Sequence, residues 1–166
     1  MAATLDTTIG GTKANSYVTL EEFAEWAETR YPSTAYDAAT PEQRTRALIA
    51  AARRLDQESF QSVPTHGDQA LQWPRFDAED RDRGIVYAPD EIPARIKRAQ
   101  MELAYQILAS NYTPDDTGLE QFDRVRLGSL EVSVNHARST GRLPEDVLRE
   151  IRPLLRSGFG IRLLRG

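Results

Sequence analysis

The chain has 166 residues, 21 Lys+Arg, 25 Asp+Glu, two His and no Cys, for a formal net charge of -4. That length predicts one domain, able to bury roughly 70% of the surface its unfolded chain exposes, and the lack of Cys excludes disulfides, thiolate metal sites and Cys nucleophiles. No apolar run approaches the roughly 20 residues of a membrane helix, and Met1 to Thr12 is neither basic nor apolar enough for a signal peptide, so the expectation is a soluble protein kept where it is made.

The first 18 residues are small, polar and Gly-bearing, which predicts an extended or mobile arm. Thr19-Leu20-Glu21-Glu22 then reads as a capping box, with Leu20, Phe23, Ala24 and Ala27 on one helix face. Tyr31-Pro32 is expected to end that helix. Thr40-Pro41-Glu42-Gln43 opens a second helix, with Thr40 as cap and Pro41 at the first helical position. Ala47, Leu48, Ala51, Leu55 and Phe60 supply its buried stripe, and its many alanines suit a close helix–helix approach.

Residues 61–91 read as irregular, punctuated by Pro64, Gly67, Pro74, Gly84 and Pro89. Trp73 beside Pro74 is expected to pin this loop onto the core, because a large ring buries much area at low entropy cost. Asp80 to Gly84 reads as a turn, followed by extended Ile85-Val86-Tyr87. A third helix follows Pro93, with Ile92, Ile96, Ala99, Leu103, Ile107 and Leu108 at helical spacing. Val125, Leu127, Leu130, Val132 and Val134 alternate around Gly128-Ser129, which predicts a β-hairpin with a two-residue turn. Leu143-Pro144-Glu145-Asp146 opens a fourth helix that Pro153 ends or kinks. The predicted class is mainly α: a small bundle of three to four helices, one β-hairpin insertion, and extended N- and C-terminal arms. Its parts are an arm at 1–18, a helical domain at 19–156 with the hairpin at about 123–135, and a C-terminal docking arm at 157–166.

The charge is divided along the chain. Residues 1–123 carry 12 basic and 21 acidic side chains, residues 124–166 nine and four. All but Lys13 and Lys97 of the basic residues are arginine, which suits bidentate pairing with carboxylate or phosphate. Arg138, Arg142, Arg149, Arg152 and Arg156 could track phosphates, or equally pair with a partner's carboxylates; a solvated helix face explains the bias as well.

Motifs for chemistry are few. Asp77, Glu79, Asp80 and Asp82 lack the ligand order of a calcium loop, so a solvated turn with Asp–Arg pairing is expected. His66 and His136 stand in no metal or catalytic spacing, and Gly10-Gly11-Thr12-Lys13 is only half of a phosphate loop. The expectation is no enzyme, no metal and no cofactor. For single-stranded nucleic acid a basic groove with aromatic platforms is wanted, whereas Trp26, Trp73, Phe76 and Tyr87 lie in the acidic part.

Several stretches, in order, resemble one family: Ala14 to Glu22 at the entry to the first helix, Arg44 to Leu55, the loop Gln69-Ala70-Leu71-Gln72-Trp73-Pro74-Arg75, Ile92 to Lys97, Leu154-Leu155-Arg156, and the closing Ile161 to Gly166. They resemble the tailed-phage head–tail connectors, adaptor or head-completion proteins, many of which carry the label "putative DnaT-like single-stranded DNA-binding protein". The resemblance implies a structural virion protein forming a ring, a dodecamer, under the portal protein, located at the neck and made in the host bacterial cytoplasm. It implies a downstream neck or tail protein as partner and genomic double-stranded DNA passing through without sequence-specific binding. Phe159, Ile161, Arg162, Leu163, Leu164 and Arg165 would then form the portal-binding arm, and Gln69, Ala70, Leu71, Trp73, Pro74 and Arg75 the signature loop. The alternative takes the label literally: a single-stranded DNA-binding protein of phage replication, whose binding weakens steeply with salt.

Overall fold

The computed structural model describes residues 3–111, 124–127, 130–133 and 142–156. Its first helix, α1 (Leu20–Thr29), starts where the sequence places a cap. Thr19 Oγ1 accepts from the Glu22 amide at 3.2 Å, and Glu22 returns the bond to the Thr19 amide at 2.9 Å. The same reciprocal box, Thr40 with Gln43, opens α3 (Pro41–Leu55), with Pro41 in the first turn. Between them lies α2 (Thr34–Ala38), a five-residue helix not expected from the sequence. It buries Tyr36 edge-on against Phe23, ring centroids 5.0 Å apart.

The body is α3 and α5 (Glu145–Ile151) packed on α4 (Ala94–Leu108). Small residues make the approach close: Ala47, Ala51 and Ala52 on α3 are buried, as are Ala99 and Ala104 on α4. Leu48, Leu55, Ile96, Leu103, Val147 and Ile151 are fully buried among them, and each such side chain contributes about 1.5–3 kcal/mol relative to exposure. On α4, Ile96, Ala99 and Leu103 are in the core as the spacing predicts, while Ile107 and Leu108 only pack against its edge. Pro153 turns the end of α5 into a 3₁₀ turn, Arg152–Leu154.

The N-terminal segment 3–18 is irregular with turns at 9–10 and 12–13, and instead of a free arm it is tied to the core, burying Ala14, Ser16, Tyr17 and Val18. Gln100, fully buried on α4, donates to the Leu48 carbonyl (2.9 Å) and to Ser16 Oγ (2.8 Å) while accepting from the Tyr17 amide (2.9 Å). One amide side chain therefore binds α3, α4 and the segment before α1, and a buried amide is stable only when its bonds are made in this way.

The irregular stretch contains two short antiparallel ladders. The first pairs β1 (Val63–Pro64) with β2 (Arg75–Phe76), placing Val63 opposite Phe76. The second pairs β3 (Glu79–Asp80) with β4 (Ile85–Val86), closed by a turn at Gly84, whose φ of +64° suits glycine. The late hairpin pairs β5 (Arg124–Leu127) with β6 (Leu130–Ser133). Leu127 opposes Leu130 and Val125 opposes Val132, the register that the alternation predicts.

Candidate functional site

The loop 69–75 is built around Trp73. Its ring is buried edge-on against Phe60 and Tyr87, at 5.6 and 6.5 Å between centroids, so it pins the loop as the sequence suggests. Its indole N–H has no partner among the described residues. The Trp73 amide donates to the Tyr17 hydroxyl at 3.3 Å, and that hydroxyl donates to Asp56 Oδ1. Asp56 Oδ2 accepts from the Gln72 amide at 3.1 Å. Burial pushes the Asp56 carboxyl up to about 6, although its bonds to Tyr17 and Gln72 work against the rise. Burial and the facing Asp56 charge push the Tyr17 phenol well up.

Arg75 ends the loop and is buried. Its guanidinium donates to the carbonyls of Gln61 (2.8 Å), Ser62 (2.7 Å) and Gln72 (3.0 Å) and to Gln72 Oε1 (2.7 Å). No carboxylate stands at ion-pair distance from it among the described residues. Burial lowers its pKa, and the nearby positive charge of Arg156 lowers it further. Of the other signature residues, Gln69 donates to the Leu71 and Pro74 carbonyls, Leu71 and Pro74 are buried, and Ala70 is exposed. These residues shape the loop through their bonds to its own backbone.

The acidic turn differs from its expected solvated form. Asp80 has no exposed surface; its Oδ2 accepts from Arg95 Nε at 2.7 Å and from the Tyr87 hydroxyl at 3.2 Å. Its Oδ1 accepts the Asp82 amide at 3.0 Å. Burial opposes its ionised form, but the Arg95 bond outweighs that and holds the carboxyl below its usual range. The Asp–Arg pairing itself is as expected, and among the described residues no group of acidic or His side chains could hold a metal ion.

The two ends of the molecule use their cations differently. Around the helices, Arg30 pairs with Glu102, Arg54 with Glu58, Lys97 with Glu22 and Arg98 with Glu150, all at 2.6–2.9 Å. The predicted arginine face on α5 is exposed but meets its own acids: Arg149 lies 3.7 Å from Asp146, and Arg152 lies 2.7 Å from Glu145. Near the ladders, Arg81 donates to the Leu155 carbonyl at 2.8 Å, Arg83 stands 3.9 Å from Asp80, and Arg156 has no carboxylate partner among the described residues. The ladders also carry exposed Phe76, Val63, Ile85 and Val86, with Phe76 paired opposite Val63. Sequence reasoning did not single out this grouping; its only signals are Arg75-Phe76 and the Arg81/Arg83 pair in the turn.

A second open feature is a cleft of about 440 Å³ where α1 and α2 meet the end of α4, lined by Arg30, Pro32, Ala35, Tyr105 and Asn111 among others. Arg30 lies 3.6 Å over the Tyr105 ring and is bonded to Glu102 and the Pro32 carbonyl, so its charge is spent inside the fold. His66 is an exposed loop residue against Gly10. His136, Arg138 and the predicted arm residues Phe159, Ile161, Arg162, Leu163, Leu164 and Arg165 lie outside the described residues.

A family model described as "Putative DnaT-like ssDNA binding protein" matches residues 1–166. No curated protein and no solved structure matches the chain. The family match overturns the head–tail connector expectation, and with it the dodecameric ring, the portal and neck partners and the passage of genomic duplex. What matches along the whole chain is a family described by single-strand binding, which agrees with the alternative reading of the sequence. The soft motifs behind the connector resemblance are accounted for physically. The 69–75 segment is a core-pinning loop, and Ala14 to Glu22 is a docked segment with a capping box.

Proposed function

We propose that this chain, which belongs to the family described as putative DnaT-like ssDNA binding proteins, binds single-stranded DNA. The observation that carries the proposal is the family match over all 166 residues. The role proposed is binding rather than catalysis, in keeping with a sequence that offers no recognised nucleophile or metal motif. Single-strand recognition of this kind combines cations that meet phosphates with aromatic faces that meet bases. An acidic body restricts where this can happen: cations already paired with carboxylates release few counterions, so affinity must come from those held in other ways.

The test is a titration of fluorescein-labelled oligo(dT) into the protein at two or more salt concentrations, read by anisotropy. Binding that falls as salt rises, with a log–log slope of about -0.7 per phosphate neutralised, supports the proposal. Absence of binding at low salt contradicts it.

A further inference from the structure

We infer that single-stranded DNA crosses the ladder face, stacking a base on Phe76 and setting its phosphates against Arg81, Arg83 and Arg156. The inference rests on the single-strand reading above and assigns it to residues.

Three observations converge on this face. It is continuous: the Gln61 amide donates to the Leu154 carbonyl (3.0 Å) and the Arg156 amide to the Ser59 carbonyl (2.8 Å). The Gln61 side chain donates to the Glu79 carbonyl, and Phe60 bridges Leu155. Segments 59–64, 75–86 and 154–156 therefore form one backbone-bonded surface. It also holds four of the six exposed large apolar side chains among the described residues: Val63, Phe76, Ile85 and Val86. Phe76 is the aromatic one, 44% exposed and held in register opposite Val63. A base has an apolar face and needs only such a ring, whatever its identity.

The third observation is electrostatic. The carboxylates of this region are Asp77, Glu79, Asp80 and Asp82, and Arg95 binds two of them, Asp80 at 2.7 Å and Asp82 at 3.1 Å. Arg81 is held by a carbonyl, Arg83 shares Asp80 with Arg95 only at 3.9 Å, and Arg156 has no acidic partner among the described residues. Beneath them Arg75 is bonded only to neutral oxygens. A guanidinium stays protonated at any working pH; the Arg75 charge has no carboxylate in direct contact among the described residues, though Asp56 acts on it from further off. Phosphates supply the anions that Arg81 and Arg156 lack among the described residues. The cleft at the far end of α4 has no free cation to offer, and the α5 arginines are paired on their own helix.

The test measures oligo(dT) binding by wild type, Phe76→Ala, Phe76→Tyr and the triple variant Arg81→Ala/Arg83→Ala/Arg156→Ala, each checked for an unchanged circular dichroism spectrum. We expect Phe76→Ala to weaken binding about tenfold, while Phe76→Tyr, which keeps the ring, stays within about twofold. The triple variant should flatten the salt slope by about 2, near 0.7 for each contact. Wild-type binding that all these variants retain would overturn the ladder-face path and leave the single-strand reading standing. A wild type that does not bind would overturn both.

Discussion

The helical body and the ladder region solve the same problem, where to put arginine, in opposite ways. In the body most paired cations are answered by a carboxylate, as with Arg30 and Glu102 or Arg98 and Glu150, while Arg44 is held by the Tyr36 carbonyl and ring. In the ladder region Arg75 and Arg81 are answered by backbone carbonyls. A carboxylate removes the charge as well as satisfying the N–H groups; a carbonyl satisfies the N–H groups and leaves the charge. Most paired cations of the body are thereby neutralised at contact, whereas Arg81 keeps a charge that an anion can use. Carbonyl bonding also makes the ladders depend on arginine for their shape, because two-residue ladders have too few bonds of their own to stand alone.

The comparison can be broken most forcefully at Trp73. Trp73→Ala should cost about 4 kcal/mol in urea unfolding, since it removes the ring that joins Phe60 and Tyr87. Arg75→Met comes next, at about 3 kcal/mol, because the Gln61, Ser62 and Gln72 carbonyls lose their donor. Its counterpart in the body, Arg149→Ala, should stay within about 0.5 kcal/mol, as exposed ion pairs do. Equal costs for the two arginines would erase the distinction.

A third experiment uses pH. The folded Asp56 carboxyl lies near 6, above its ordinary 3.8, so between these values the native state holds more protons than the unfolded chain. Stability from this group is greatest below about pH 4, falls as pH rises through that window, and stays low above 6. The change is about 3 kcal/mol at most, and Asp56→Asn should remove that slope from unfolding free energies measured between pH 4 and 8. A smaller effect belongs to the body: Thr40→Ala deletes one arm of a capping box and should cost about 1 kcal/mol, above only the exposed Arg149→Ala.

What the sequence makes legible is local. The Thr19/Glu22 and Thr40/Gln43 boxes, the stop at Pro153 and the register of the late hairpin all depend on residues a few positions apart, and all four are present. What it hides depends on distant partners. Gln100 reads as an ordinary polar helix residue, yet it is buried because Ser16, Tyr17 and Leu48 offer it three bonds. Asp80 reads as a solvated turn acid, yet Arg95, fifteen positions on, draws it inside. The candidate face is hidden for the same reason: segment 154–156 joins residues 59–61 only once the 3₁₀ turn returns the chain to the ladders, where Arg81 also reaches the Leu155 carbonyl. The connector expectation rested on motif order alone, which cannot separate a functional signature from residues needed to pack a loop.

Two triple variants of equal net charge test the central claim most directly. One replaces the ladder arginines Arg81, Arg83 and Arg156 with alanine; the other replaces Arg46, Arg149 and Arg152 of the helical body, each paired with a carboxylate. Oligo(dT) affinity is measured for both against salt. The ladder variant should lose most of its affinity and about 2 from its salt slope, while the body variant stays within about threefold of wild type. Equal losses from the two variants would show that net charge alone governs binding and would contradict a localised ladder face.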